Sequence, residues 1–259
     1  MTPPTLPRED FRDILNEFRL DLKFRWVPFR AYYRLRAFKY MHFIDPEMGL
    51  LRFLVDPRRI SIDVGANLGL FTYFLARYSR QVYAYEPNPI PFRVLARVVD
   101  RNVIATQMAI TDRSADVRLI VPKGRRGWSS NGAGIDRTAS GRFVAVDVPG
   151  RRIDDLGLEG IGFIKIDVEG HEAAVLRGAR ETLLRDRPNL FLEAEWAHVG
   201  DRVGDIFRLL GELGYDGYFL EDNVLRNISR FSVTTHQRDR RSRTPGAPRY
   251  VKNFVFIPR

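Results

Sequence analysis

RISIDVGANLGLFTYFLARYSRQVYAYE, residues 59–86, changes its hydrophobic period twice. An apolar run ends at Gly65, LGLFTYFLARY then spaces its apolar side chains as a helix does, and QVYAYE is extended again. Strand, glycine turn, helix and strand in that order predict a βαβ unit and a parallel sheet with helices on both faces. The alternation continues downstream. PIPFRVLARVVDRN is a second helix opened by prolines, which the first helical turn tolerates, and NVIATQMAIT is a third strand. VRLIV and RFVAVDV read as an extra hairpin around a glycine- and serine-rich loop at 122–142. That loop carries Trp128, Ser129, Ser130 and Asn131, which suit either a cover over a polyol or a plain connection. A strand at 162–168, a helix at about 171–185, the strand NLFLEAEW and a helix at about 203–213 follow. YDGYFLED and YVKNFVFIP close the pattern; with no helix between them, they are expected to pair antiparallel at one edge.

The chain has 259 residues, 44% of them hydrophobic and 12% aromatic, enough to bury the core of one large α/β domain. Residues 8–56 interleave aromatics with Arg and Lys at helical spacing, interrupted at Pro28. They read as two or three helices packed across the sheet as a lid; contact with a membrane surface or a partner subunit is the alternative. The expected organisation is a helical appendage over 1–57 and the main domain over 58–259. Cysteine is absent, which excludes disulfides and thiolate metal sites. No run approaches the roughly 18 apolar residues of a membrane span. MTPPTLPRED lacks the basic-then-apolar pattern of a secretion signal, so a cytoplasmic protein is expected.

The net charge of +10 is concentrated late in the chain, where Arg226, Arg230, Arg238, Arg240, Arg241, Arg243, Arg249 and Lys252 face only Asp239. The basic loop at 226–249 suits an anionic partner such as nucleic acid, an anionic membrane or lipid-linked acceptor, or an acidic metabolite. It equally suits a solvated loop without a partner.

The turn IDVGANLG lies between a strand and a helix, and Gly65 and Gly69 let the chain turn tightly and a ligand approach the backbone. The helix N-terminus that follows offers unpaired N–H groups to a carboxylate. Glu86 ends the next strand, where an acid can accept from both hydroxyls of a ribose. The NAD fingerprint G-x-G-x-x-G is broken, because Asn67 stands at its second glycine. Asp63, just before the turn, would repel a pyrophosphate and suits a cationic amine. S-Adenosylmethionine (SAM) carries that amine, a carboxylate and a ribose.

Here the sequence resembles a known family. IDVGANLGLFT, VYAYEPNP, AITD and FIKIDVEGHEAAVLRGA, in that order over about residues 58–198, are similar to the FkbM-type SAM-dependent methyltransferases. The resemblance implies a class I, Rossmann-like α/β fold with a seven-stranded, mostly parallel sheet ending in an antiparallel edge strand. It implies methyl transfer to a hydroxyl, often on a sugar or polyketide-like metabolite. It places Asp63, Gly65, Ala66, Asn67, Gly69, Glu86 and Asn88 in the cofactor site, with Ala109 and Asp112 approaching the adenine.

The stretch FIKIDVEGHE places four ionisable groups in and after a buried strand. If the extended form continues, Lys165, Asp167 and Glu169 share a face opposite Ile164, Ile166 and Val168. Asp167, Glu169 and His171 are then expected to overhang the methyl end of the cofactor, with Lys165 paired to an acid deeper in. A hydroxyl acceptor needs a base. His171 is the first candidate, since its ordinary pKa of about 6.5 suits the task; Asp167 and Glu193 are rivals. Asp167, Glu169, His171 and Glu193, with Glu195 and His198, also form a candidate oxygen-and-imidazole site for Mg or Mn. The expected function is O-methylation of a saccharide, glycolipid or related metabolite. An RNA or protein methyltransferase using the basic loop is the alternative within the fold, although no N-P-P-Y-like amide clamp is present. A NAD-dependent oxidoreductase is the alternative from another class. Association into a homo-oligomer is left open.

Overall fold

The computed structural model describes residues 33–39, 46–124, 127–128, 133–135, 142–200, 203–237 and 250–259. Most of the segment read as the appendage, most of the 122–142 loop and residues 238–249 of the basic loop lie outside the described residues. Two short helical pieces, at 33–39 and 46–54, precede the sheet. The sheet and its helices then alternate as β1 (Ile60–Val64), α1 (Leu70–Tyr78), β2 (Gln81–Tyr85), α2 (Pro89–Val98) and β3 (Val103–Thr106). A hairpin of β4 (Val117–Gly124) and β5 (Phe143–Val148) interrupts them. The series resumes with β6 (Ile161–Ile166), α3 (Glu172–Arg177), α4 (Arg180–Asp186), β7 (Asn189–Glu193), α5 (Val203–Glu212), β8 (Tyr215–Glu221), β9 (Val224–Asn227) and β10 (Asn253–Pro258).

The main sheet runs β9-β8-β10-β7-β6-β1-β2-β3. β3, β2, β1, β6 and β7 are mutually parallel, and β10 pairs antiparallel with both β7 and β8. The fold class is the expected one, with two differences. The sheet has eight strands: the last strand, β10, lies inside it, antiparallel to both neighbours, and β9 pairs antiparallel with β8 at the edge. Asn253 to Phe256 of β10 are all buried, so the strand inserts between two others and leaves no face at an edge. The eighth strand arises because Asp222 and Asn223 both adopt positive φ (47° and 63°), the two-residue turn that folds a chain back on itself.

Strand alternation sorts the core into two faces. Ile62, Val64, Ile164, Ile166, Leu190 and Leu192 pack with Val175, Leu183, Ile206 and Leu210 of the helices on one side. Phe163, Phe191, Val255, Val82 and Ala84 meet Phe74, Leu75 and Leu95 on the other. Ala37, Met48, Leu51 and Leu54 join this second cluster, so the described N-terminal helices share the domain's core. Complete burial of a side chain such as Phe163 contributes about 1.5–3 kcal/mol.

The helix expected at about 171–185 is broken into α3 and α4. A side chain on Gly178 would lie 2.1 Å from the Thr111 carbonyl oxygen, so the backbone there packs directly on the segment after β3. Strand order reverses between β1 and β6, both of which end at the same side of the sheet. Open α/β sheets bind ligands at the carboxyl ends of strands flanking such a switch.

Candidate active site

A cleft of about 840 Å³ opens over the β1–β6 switch point. One half is built by backbone. Gly65 turns with φ of 74°, and its N–H and that of Ala66 both donate to the Tyr85 carbonyl at 3.0 Å, fixing the β1 turn to the tip of β2. A Cβ at Gly65 would stand 1.9 Å from the Asp167 carbonyl oxygen, so only glycine lets the β1 and β6 tips approach this closely. Gly65, Ala66, Asn67, Leu68 and Glu86 line the cleft. Glu86 accepts from the Asn67 N–H (2.7 Å) and the Asn88 N–H (2.8 Å). Burial pushes its pKa up to about 7 against those two hydrogen bonds. Met108, Ala109, Ile110 and Leu119 add an apolar stretch to the lining.

Four residues expected at the cofactor, Asp63, Gly69, Asn88 and Asp112, are not on the cleft lining. Asp63 is fully buried beneath the turn: Thr72 Oγ1 donates to its Oδ2 at 2.6 Å, and Oδ1 faces the Lys165 ammonium at 3.1 Å. Its carboxylate is engaged by β6 and α1 and does not line the cleft. Asn88 is buried and caps α2 through Oδ1, which accepts from the Ile90 N–H at 3.1 Å. Asp112 pairs with Arg177 at 2.8 Å, off the cleft lining, which lowers its pKa. Gly69 also lies off the lining; it permits close packing, since a side chain there would meet Leu95 at 2.5 Å.

The other half is built by ionisable side chains. Lys165, 4% exposed, donates to the Gly65 carbonyl (2.7 Å) and the Val64 carbonyl (3.3 Å), and its ammonium lies 3.6 Å from Asp167. Burial opposes its charge, yet Asp63 and Asp167 hold the ammonium above the usual lysine range. This is the expected acid pairing of Lys165. Asp167 and Glu169 line the cleft, but the extended backbone does not persist to Glu169, where φ is 52° and Gly170 follows at 108°. Glu172, nearly fully buried, anchors that turn by accepting from the Gly170 N–H at 2.9 Å, and burial pushes its pKa up to about 7.

Glu193, at the end of β7, lines the cleft and meets Lys252 Nζ at 2.6 Å. Burial, with the Asp167 charge second, pushes Glu193 up to about 8, against the pull of Lys252. Tyr250 donates its hydroxyl to Glu195 at 2.8 Å, and both line the cleft. His171 does not line it. Its Nε2 lies 2.9 Å from Thr111 Oγ1, beneath the β6 turn, because the positive φ at Glu169 and Gly170 swings the chain away before residue 171. Arg36, Tyr250, Lys252 and Asn253 line the cleft although no sequence motif marks them; they come from segments far from any glycine or acid signature. Asp167, Glu169, His171 and Glu193 do not converge as a coordination set. Among the described residues no cluster of three His, Asp or Glu side chains suits a metal ion, and the His198 side chain lies outside them.

The family model "Methyltransferase FkbM domain" matches residues 63–216, more than half of the chain. The chain belongs to the FkbM methyltransferase family. It is 28% identical over 191 residues to the "31-O-demethyl-FK506 methyltransferase FkbM" of Streptomyces tacrolimicus, spanning 61% of this chain and 69% of that one. It is also 28% identical over 178 residues to the "Hexuronic acid methyltransferase AglP" of Haloferax volcanii, spanning 64% of this chain and 68% of that one. The crystal structure of methyltransferase FkbM from Methylobacillus flagellatus KT shares the fold at a TM-score of 0.51 and 20% identity, covering 95% of this chain and 55% of that one. This FkbM-family chain is a SAM-dependent methyltransferase, and the described half-cleft fits that cofactor. A buried carboxylate lies beside a turn where no side chain is tolerated, and an apolar stretch lines the same cleft. Arg36, Tyr250, Lys252 and Asn253 fall outside the stretch that the family model matches. No helix among the described residues is long and apolar enough to cross a membrane.

Proposed function

We propose that the protein methylates a hydroxyl of a saccharide, glycolipid or related hydroxyl-rich metabolite, with Glu193 as general base. The observation that carries this is the position of Glu193: on the cleft wall, one strand beyond Asp167, whose carbonyl touches the Gly65 turn. Gly65, Ala66, Asn67 and Glu86 would hold the nucleoside, which supplies an electrophilic methyl group when bound. With the nucleoside bound, Glu193 would take the proton of an acceptor hydroxyl that replaces the thioether on the methyl carbon. Alignment of the acceptor by Asp167, Glu169, Glu195 and Tyr250 supplies much of the rate. Lys252, in contact with Glu193, favours the ionised form that can accept a proton. His171 serves instead to tie the start of α3 to Thr111.

The lining supports a hydroxyl-bearing acceptor. Glu86, Asp167, Glu169, Glu193 and Glu195 share the lining with Arg36, Lys165 and Lys252, an array of hydrogen-bonding groups that suits the hydroxyls of a polyol. The names of two relatives, a 31-O-demethyl-FK506 methyltransferase and a hexuronic acid methyltransferase, support an acceptor of this kind. Labelled SAM with a panel of glycans and polyhydroxylated metabolites, followed by NMR location of the new methyl group, tests the reading. A methyl ether is expected. Label incorporated only into RNA, protein or a nitrogen would overturn it.

A further inference from the structure

We infer that Gln237 is a positioning residue of the acceptor wall, holding the Glu193–Lys252 and Glu195–Tyr250 pairs in register; the inference rests on the reading of that wall above. The two pairs join neighbouring chain segments, Glu193 with Lys252 at 2.6 Å and the Tyr250 hydroxyl with Glu195 at 2.8 Å. Between the two acids stands Ala194, and between their partners stands Val251, both buried in the core. Strand pairing of β7 with β10 runs to Glu193 and Asn253, and the Ala194 N–H to Lys252 carbonyl bond at 2.9 Å follows it. There the Gln237 side chain takes over. Its Nε2 donates to the Ala194 carbonyl at 2.7 Å and to the Val251 carbonyl at 2.8 Å, and its Oε1 accepts from the Trp196 N–H at 2.7 Å.

A side-chain amide supplies two donors and an acceptor from one planar group, and all three are used here. Gln237 is 4% exposed, so its loss would strip two carbonyls and an N–H of this partner in a buried place. Its own position is fixed by the helical turn Val233–His236. The Gln237 N–H donates to the Val233 carbonyl at 2.9 Å, and the Val251 N–H donates to the His236 carbonyl at 3.0 Å. Residues 236 and 237 thus engage both backbone polar groups of Val251. His236 fastens the turn to the rest of the sheet: its ring stacks on Phe231 at 5.3 Å, meets Phe219 edge-on at 5.1 Å, and places Nε2 3.2 Å from Glu221. Gln237 does not line the cleft, so it acts through the backbone of Ala194 and Val251. Each of those residues is flanked on both sides by residues of the wall. A shift of either carbonyl therefore moves an acid against its cation or hydroxyl.

The test is the titration of Glu193, followed by NMR of protein with isotope-labelled glutamate carboxyls, which needs no acceptor; the Glu193 signal is the one missing from Glu193→Gln. The charges that act on this carboxyl are Lys252 before β10, Asp167 after β6, Glu195 after β7 and Lys165 on β6. In otherwise wild-type protein Lys252→Met should raise the midpoint by about one pH unit or more, because an opposite charge in contact is lost. With Gln237→Met, which keeps an unbranched side chain of similar length and deletes all three side-chain hydrogen bonds, the same Lys252→Met step should shrink to about half or less. Gln237→Glu keeps the acceptor for the Trp196 N–H and should give an intermediate step; it carries the comparison if the methionine variant does not fold. SAM affinity by calorimetry should stay within about twofold throughout. A Lys252 step of full size in both Gln237 variants, with only a lower melting temperature, would make Gln237 a structural clamp and overturn the inference. SAM affinity lost along with the coupling would assign Gln237 to the stability of the whole sheet and overturn it equally. So would a Lys252→Met step too small to measure in wild-type protein, since there would be no register to hold. The base assignment fails separately, by undiminished turnover of Glu193→Gln, and the titration comparison stands without it.

Discussion

The two halves of the cleft are made of different materials. Around β1 and β2 the site is backbone: two N–H groups on the Tyr85 carbonyl, a glycine pressed against the Asp167 carbonyl and a carboxylate held by two more N–H groups. Around β6 and β7 it is side chain: Asp167, Glu193, Glu195, Tyr250 and Lys252, from segments up to 85 positions apart, tied by ion pairs and hydrogen bonds. Backbone geometry tolerates little change and suits an invariant nucleoside. Linked side chains can be exchanged one at a time and suit an acceptor that differs among relatives. Lys165 joins the halves, holding the Gly65 carbonyl with one hydrogen and the Asp63 and Asp167 carboxylates with its charge.

The largest effect should come from the backbone half. Gly65→Ala must relieve a 1.9 Å overlap with the Asp167 carbonyl and occupy a φ of 74°. Strain and overpacking together cost about 2–6 kcal/mol. Cofactor binding should fall below detection by calorimetry, and near-wild-type affinity would show that the turn is not the nucleoside site. Next is the link between halves. Lys165→Met leaves the buried Asp63 without its cation, a loss of about 3–5 kcal/mol readable in urea unfolding. Restoration by the double variant Lys165→Met with Asp63→Asn is expected, because both charges then disappear together. A Lys165→Met protein as stable as wild type would deny the link.

The same division decides what the sequence revealed. Strand and helix periods disclosed the parallel sheet, and glycines with an acid after the second strand disclosed the backbone half. These are local signals, each carried by a few consecutive residues. Asp63 misled because sequence shows a carboxylate at a strand end but not Thr72 and Lys165 closing over it. His171 misled because two consecutive positive φ values, at Glu169 and Gly170, broke the extended geometry from which its direction was projected. Lys252 and Tyr250 reach Glu193 and Glu195 only because β10 inserts between β7 and β8. That insertion is a pairing choice between distant segments and leaves no local signature. Asp222 and Asn223 form the turn that makes the eighth strand, and reading YDGYFLED as a single strand passed over it.

The acceptor half should respond more selectively. Glu193→Gln removes the proposed base and keeps the shape, so kcat should fall about 10²-fold with SAM affinity within about twofold. Loss of cofactor affinity instead would place Glu193 in the other half. Because Glu193 must be ionised to accept a proton, kcat/KM should rise with pH and level off above a pKa of about 8. Lys252→Met removes the cation that opposes burial, so that limb should move to still higher pH. The stability contribution has the opposite sense. A carboxyl raised from 4.5 to about 8 on folding binds more protons when folded, so its stabilisation is complete below pH 4.5 and is lost as pH rises toward 8. A pH profile unmoved by Lys252→Met would separate Glu193 from the proton transfer.

The smallest effect, and the one that most sharpens the division, is expected at His171. Its Nε2 is engaged with Thr111 at 2.9 Å, and its ring does not reach the cleft. His171→Ala should cost about 1 kcal/mol of stability for the lost hydrogen bond, visible as a small drop in melting temperature. Turnover should stay within about threefold of wild type, because positioning of the β6 turn rests on Glu172, Lys165 and the Asp167 N–H to Val64 carbonyl bond. The comparison with Glu193→Gln is direct. Both variants delete a candidate proton acceptor, and only one of the two lies on the cleft wall. A hundredfold fall in kcat for His171→Ala, with Glu193→Gln near wild type, would exchange their roles and move the base to the turn beneath the cofactor.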